Sequence, residues 1–385
     1  MTSTALAGEG GEVPARLDAL RATMAAHGVA VAVLTSPENV YYLTGLDHLG
    51  YFAVTLLLVP RDGPPVLVTR AMERHTVAAQ VPWCRHVPFG EGRDPAAVAA
   101  AVLAELSGSG AAIGAELSSM YCPPAVHAGL RAALAGRDWV DVTGWLVAAR
   151  ATKSPAETAR VRRAAAITDA ALRTVRDTAR AGVAERVVAA EAYRTMLLAG
   201  GQPPGFAPLI RPVAMLGQEH VSWADRTVRA GTALFVELSG CVDRYHAPAS
   251  RTFYAPPVPA GAAEAAAAAE QGLAAARAAL RPGVRTGAVY AAWQRAVAAS
   301  TAGVWPRRHH CGYLVGIGFP PSWVGGGEVP GIRPGGEMVV RAGMTFHLMS
   351  WLDGPVGHVV SDTALVTADG CELLTTADRG LVELP

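Results

Sequence analysis

The segment Ser154-Pro155-Ala156-Glu157 constrains this chain more than any other. Ser154 can cap a helix, Pro155 suits the first helical position, and Glu157, three residues after the serine, completes a capping box. A helix therefore starts there, predicted over 157–180, and a second is predicted over 183–199. The residues before it carry a different rhythm. Apolar residues at helical spacing over 15–27 lead into a β-branched run over 29–34; strand signals recur at 51–59, 66–68 and 111–114, and helix signals at 96–106 and 125–135. Residues 1–152 thus read as an α/β domain and 153–385 as a second domain. In the second, strands at 232–238 and 250–254, helices at 260–280 and 286–300, and glycine-punctuated strands at 312–318, 343–349 and 359–366 follow the two helices. Helices then strands, twice over, is an α+β order. A length of 385 residues also suits two cores better than one.

Composition removes several classes of function. With 33 Lys+Arg against 32 Asp+Glu and 51% hydrophobic residues, the chain has neither the basic surface of a nucleic-acid binder nor the polarity of a disordered one. No apolar run reaches the roughly 20 residues of a membrane span, and the first residues lack a basic segment followed by an apolar one. A cytoplasmic protein with no membrane partner is the expectation. Lys153 is the only lysine, so no phosphate-binding G-x-x-x-x-G-K-[ST] loop can be written, and because this one possible Schiff-base lysine falls in a likely linker no pyridoxal chemistry is expected. Five scattered cysteines form no C-x-x-C pair, and His309 and His310, being adjacent, diverge on any one element. No cofactor is expected.

What remains is polar residues clustered near strand ends: Glu219-His220 with Trp223 and Asp225, Glu237, Arg244-Tyr245-His246 with Arg251, then Tyr313, His347 and Asp362. Sites are commonly built at such places, but a pleated strand also turns every second residue to solvent. Periodicity alone leaves both readings open.

The order of motifs is more informative. Lys153-Ser-Pro-Ala-Glu157, His220, the stretch Tyr245 to Phe253, Gly343-Met-Thr-Phe346 and the stretch Asp362 to Glu372 resemble the pita-bread superfamily of methionine aminopeptidase, prolidase and creatinase. Pro37-Glu-Asn-Val-Tyr-Tyr-Leu-Thr-Gly45 and Ile113-Gly-Ala-Glu116 resemble the amino-terminal domain of the creatinase and prolidase branch. The resemblance implies an α/β amino-terminal domain before a pita-bread catalytic domain. It also places Glu237, Pro248, Tyr313, Met349 and Ser361 where metallopeptidase members hold two divalent cations. Proline has no donor, methionine is soft, and neutral tyrosine and serine are poor ligands for hard dications, so a metal-free member is implied.

Within that group the likeness is to ectoine hydrolase, through Arg244-Tyr-His-Ala-Pro-Ala-Ser-Arg-Thr252, Pro320-Pro-Ser-Trp323, Gly343-Met-Thr-Phe-His347 and His220-Val-Ser-Trp223. The reaction implied is hydrolysis, or a ring-opening or ring-closing relative, at a C–N bond of a small cyclic amidine, lactam or amide-like molecule. His220 stands at the general acid/base position, and histidine suits both halves of a proton shuttle. Tyr313, His347 and Asp362 are the other catalytic candidates. Trp223, Glu237, Tyr245, His246, Arg251 and Trp323 are candidates for holding a nitrogenous substrate, and so are Tyr51 and Phe52; the resemblance also implies a homodimer in which one subunit's amino-terminal domain closes the other's site, with Tyr41, Tyr51, Phe52 and Arg70 as candidates for the contributed wall. Gly325, Val359 and Ser250 stand where those enzymes carry acids, which argues against a strongly cationic substrate. A non-catalytic binding protein and a metallopeptidase with rearranged ligands are the alternatives.

Overall fold

A computed structural model of the chain describes residues 11–108, 110–301, 308–326, 329–354 and 356–385. The first ten residues, on which the expectation of no leader partly rests, lie outside them. Among the described residues the chain divides into two compact units, one running to Arg150 and including Gly325 and Gly326, the other beginning at Ala151.

The first unit contains α1 (Glu12–Ala26), β1 (Val29–Leu34), α2 (Pro37–Thr44), β2 (Leu56–Pro60), β3 (Val66–Arg70), α3 (Arg74–Gln80), β4 (Arg85–Phe89), α4 (Pro95–Ser107), β5 (Ala112–Ala115), α5 (Pro124–Ala133) and β6 (Trp139–Asp141), with α6 (Thr143–Ala151) leading out. Its mixed sheet has the order β4-β3-β2-β1-β5-β6. β1 is buried along its whole length, as a central strand covered on both faces must be. The strand expected at 51–59 begins only at Leu56, because Gly50–Phe52 forms a 3₁₀ turn. The two motifs of the amino-terminal domain meet through one carboxylate. Glu116, after β5, accepts hydrogen bonds from the amides of Thr35 and Ser36, from Thr35 Oγ1 and from Asn39 Nδ2, fixing the turn from β1 into α2. At the other end of α2, Gly45 takes φ +81°, the left-handed conformation that ends a helix cheaply only in glycine.

The second unit opens with α7 (Pro155–Thr178) and α8 (Glu185–Leu198). After them come β7 (Leu209–Pro212), β8 (Ala233–Val242), β9 (Tyr245–Tyr254), α9 (Ala262–Ala279), α10 (Thr286–Ser300), β10 (Gly312–Leu314), β11 (Thr345–Leu352), β12 (His358–Val366), β13 (Cys371–Leu373) and β14 (Val382–Glu383). The capping box forms as read: Ser154 Oγ accepts from the Glu157 amide at 3.1 Å, and Glu157 Oε2 accepts from the Ser154 amide at 2.7 Å. The sheet runs β10-β11-β12-β9-β8-β7, antiparallel along that path. One face packs on helices, α7 against β8 and β9, and α9 against β11 and β12. That face carries the larger core, in which Phe346, Leu348, Val360 and Ala364 meet Leu273, Ala276 and Trp293. Gly240 lies so close to the Ala164 carbonyl of α7 that a Cβ would collide with it, so helix and strand approach there only because the residue is glycine. The opposite face carries the polar cluster described next.

Candidate active site

Strand register decides which side chains share a face. Glu237 pairs with Ser250, Ser250 with Ser361, and Ser361 with Met349, so these four residues form one row across β8, β9, β12 and β11. Tyr313 on β10 faces His347 on β11, two residues from Met349 and so on the same side.

Hydrogen bonds join these groups into a relay. Trp323 Nε1–H donates to Tyr313 Oη at 3.1 Å, Tyr313 Oη lies 2.8 Å from His347 Nδ1, His347 Nε2 lies 2.6 Å from Ser361 Oγ, and Ser361 Oγ lies 2.7 Å from Ser250 Oγ. Ser361 Oγ also accepts the Ser250 amide at 2.7 Å. Burial pulls the His347 pKa down to about 3, so the ring is neutral and one nitrogen donates while the other accepts. If Tyr313 donates to Nδ1, the chain of donors ends in the Ser250 hydroxyl; if Nδ1 donates to Tyr313, it ends in the Tyr313 hydroxyl. Either way one terminal O–H is left to donate outward. Burial also drives the Tyr313 pKa well above its ordinary value, so the phenol keeps its proton.

Glu237 is the carboxyl of this cluster. Burial raises its pKa to about 7, against the pull of the Arg211 and Arg308 charges and with a small push from Glu219. Its Oε1 lies 3.7 Å from His347 Nδ1, a contact between a carboxyl and a neutral ring rather than an ion pair.

At the five places that the resemblance assigns to metal ligands, Glu237, Pro248, Tyr313, Met349 and Ser361, stand a carboxyl, a proline, a phenol that keeps its proton, a thioether and a hydroxyl. Tyr313 and Ser361 are moreover committed to the relay. A bridged pair of dications needs several anionic oxygens, and this donor set does not fit one. Among the described residues no group of three or more His, Cys, Asp or Glu converges as metal ligands would.

The structure brings Tyr313, His347, Glu237 and Trp323 together and separates other expected residues from them. Asp362, one residue past Ser361, turns to the helix-covered face. There it binds Arg251 Nη2 at 2.8 Å, Arg379 Nε at 2.6 Å and Thr375 Oγ1 at 2.7 Å. Arg251 spends its remaining donors on the carbonyls of Ser250, Ser361, Ala377 and Asp378, so the pair clamps the sheet. This corrects the reading of Asp362 as catalytic and of Arg251 as substrate-binding; the cause is strand alternation. Tyr245 shares that face, and its hydroxyl donates to Glu157 Oε1 at 2.7 Å. His246 is buried, with Nε2 accepting the Gly205 amide at 2.8 Å and Nδ1 donating to the Arg244 carbonyl at 2.9 Å, which uses both nitrogens in backbone contacts. Trp223 packs edge-on against Tyr193 of α8, ring centroids 5.9 Å apart. Tyr51 packs edge-on against Tyr121, and Phe52 is exposed, both within the first unit.

His220 lies on an exposed turn after β7, its ring stacked on Phe206 with centroids 6.2 Å apart; Phe206 in turn meets Trp323 edge-on at 4.7 Å. Its neighbour Glu219 forms a two-pronged ion pair with Arg308, at 2.8 and 3.0 Å, and Arg211 donates to the carbonyls of Met215 and Val221 on either side. Two arginines that the sequence reading passed over thus hold the turn that presents His220.

Comparison with known proteins agrees with this architecture. Residues 16–152 match the Creatinase/Prolidase N-terminal domain and residues 159–368 match Metallopeptidase family M24. An uncharacterised hydrolase/peptidase of Sinorhizobium fredii is 30% identical over 96% of this chain and 97% of its own length. The ectoine hydrolase of Halomonas elongata is 27% identical over 96% of both. The crystal structure of a dipeptidase from Mycobacterium ulcerans, 25% identical, superposes with a TM-score of 0.83 over 97% of this chain and 98% of that one. A prolidase from Thermococcus sibiricus, 19% identical over 97% and 99% of the two chains, shares the fold with a TM-score of 0.86.

Proposed function

Because this chain belongs to metallopeptidase family M24 and carries a creatinase/prolidase amino-terminal domain, we propose that it is a hydrolase that works without a metal and opens a C–N bond of a small nitrogenous molecule, a cyclic amidine, a lactam or an amide. The observation that carries this reading is the neutral relay from Trp323 to Ser250, two of whose members, Tyr313 and Ser361, stand at positions that the resemblance assigns to metal ligands, beside a single carboxyl, Glu237. The likeness to ectoine hydrolase supports a bond outside a peptide.

Hydrolysis without a metal needs a side chain to take a proton from water as its oxygen bonds to the sp² carbon, and a proton delivered to the nitrogen as the C–N bond breaks. His220 is the group we assign to that shuttle, moving from its turn toward the row formed by Glu237 and Ser250. Glu237, with a pKa near 7, holds the substrate nitrogen and can give or take a proton there. The terminal hydroxyl of the relay donates to the polarised atom, stabilising charge as it develops.

The test combines metal analysis with kinetics. Purified protein should contain no stoichiometric transition metal, should keep its activity in chelator, and should open members of a panel of cyclic amidines and lactams. His220→Ala should lower kcat by about 10² to 10⁴ with little change in stability. Near-normal turnover in His220→Ala would remove the shuttle assignment. A second reading, a peptidase, is favoured by the probable dipeptidase of Mycobacterium tuberculosis, 27% identical over 97% of each chain. Two manganese, cobalt or zinc ions per chain together with dipeptide cleavage would establish that reading instead.

A further inference from the structure

A hollow of about 560 Å³ lies wholly within the second unit, between α9 and the hairpin of β12 and β13, and none of its lining residues belongs to the relay. That volume is in the range of small-molecule sites. One wall is a stripe of α9: Glu270, Leu273, Ala274, Arg277 and Ala278 are spaced three and four residues apart and so share a side of the helix. Arg281 follows just past the helix end. The two alanines leave the room, and Leu273 with Leu373 of β13 supplies an apolar floor.

Charge is divided along this stripe. Glu270 and Arg277 stand about 10 Å apart along the helix axis, too far to pair with each other. The Glu270 carboxyl rests over Gly380, where a Cβ would meet Oε1 at 2.6 Å. At the other end Arg277 Nε donates to the Cys371 carbonyl at 3.4 Å and Arg281 Nε to the Ala278 carbonyl at 2.7 Å. Among the described residues neither guanidinium is paired with a carboxylate, and Glu270 is paired with no cation. Asp369 lines the same end, so two arginines against one aspartate leave that end positive. Arg379 also lines the hollow, but it gives Nε to Asp362 and Nη2 to the Thr375 carbonyl and is committed to the clamp. The result is an apolar trough with a carboxylate at one end and two arginines at the other.

We propose that this hollow is a second binding site, which takes a linear ω-amino carboxylate with its carboxylate on Arg277 and Arg281 and its ammonium on Glu270. A simple anion would meet the arginines but also be repelled by Glu270 and Asp369, and a simple cation would meet the reverse. A molecule with opposite charges at its two ends satisfies both and lays its methylenes over Leu273 and Leu373. The same chemistry links the hollow to the reaction. Adding water across the C–N bond of a lactam turns the ring into one chain, with a carboxylate where the carbonyl was and, once the nitrogen has taken its proton, an ammonium at the far end. The trough therefore suits the ring-opened product and not the ring. Naming the ligand as product rests on the hydrolase reading; its charges and its length do not.

The test is calorimetric titration of the whole protein, at neutral pH and low salt, with 6-aminohexanoate. Hexanoate, hexylamine and glycine serve as controls, the last because its charges lie too close together to reach both ends. Saturable binding of 6-aminohexanoate is expected, about tenfold or more tighter than that of any control and weakened about tenfold in Glu270→Gln and in the double variant Arg277→Gln/Arg281→Gln. No saturable binding to the wild-type protein would overturn the proposal, and that titration decides even if a variant fails to fold. Equal binding of hexanoate, or unchanged binding in both variants, would overturn it as well. Triglycine carries the same two charges on a peptide backbone, and its binding more tightly than 6-aminohexanoate would remove the assignment to a ring-opened product. None of these measurements needs turnover: a protein that opens no ring can still show the site, and a hydrolase established through His220→Ala can still lack it.

Discussion

Ser361 and Asp362 are consecutive residues of one buried strand, yet they belong to two different kinds of interior. Ser361 faces the cluster in which His347, Tyr313 and Ser250 share uncharged hydrogen bonds. Asp362 faces the helices, in a clamp of full charges with Arg251 and Arg379. On the helix face, ions are buried where their partners are fixed on all sides and nothing has to move. On the site face, ionisation is suppressed at His347 and displaced to near pH 7 at Glu237, so protons there can move without a large change in buried charge. A buried carboxylate in a family motif is therefore no guide to catalysis until its face is known.

Acid should break the neutral side of this comparison with the largest effect. His347, His310 and His246 have pKa values pulled down to about 3, 4 and 4, chiefly by burial, from an ordinary 6.5. The unfolded chain takes up protons below about pH 6.5 and the folded one does not, so the stability these rings contribute is present above that pH and lost as pH falls toward 4. At about 1.4 kcal/mol per pKa unit per group, the loss should total several kcal/mol, read as a steep fall in Tm between pH 6.5 and 4. Glu237 acts with the opposite sign: its contribution is present below about pH 4.5 and is lost as pH rises to about 7, so Glu237→Gln should stabilise the protein at pH 8 relative to wild type and do so less at pH 4.5. A flat Tm profile would contradict the neutral burial of these rings.

The charged face is broken next by Asp362→Ala. The change leaves the Arg251 guanidinium, only 1% exposed, without its anion, and should cost about 3 to 5 kcal/mol in urea denaturation. A loss below 1 kcal/mol would show that the clamp does not hold the sheet. Tyr313→Phe sharpens the other side with the smallest effect. Removing the hydroxyl strands Trp323 Nε1–H and His347 Nδ1, at about 1 to 3 kcal/mol of stability. Turnover should fall as well, and unchanged stability and kcat together would mean that the relay does not run through Tyr313.

The sequence made the division into two units legible because the capping box and the proline at 155 are local signals that packing does not override. It hid the faces of the second sheet. β8, β9, β11 and β12 are buried at every position, so they lack the alternation by which a strand shows which residues look where. Ser361 and Asp362 could be told apart only by register. β7 was missed because four residues between Pro208 and Val213 give no period to read, and Arg211 was missed with it. His220 showed in the sequence as part of a polar cluster, but its acid/base role came only from resemblance to known enzymes, since an isolated histidine beside a glutamate carries no periodic signal of its own.

The contact between Tyr245 and Glu157 bears on how the chain assembles during synthesis. Glu157 closes its own helix cap with one carboxylate oxygen and receives the Tyr245 hydroxyl with the other, across 88 residues of sequence. The amino-terminal unit completes its own knot, Glu116 on Thr35, Ser36 and Asn39, within the first 116 residues. On a ribosome the first unit can therefore close while the second is still being made. The first helix of the second unit must wait for β9 to emerge before its start is fully tied down. Such long-range closure slows folding and lengthens the interval in which a nascent chain exposes apolar surface.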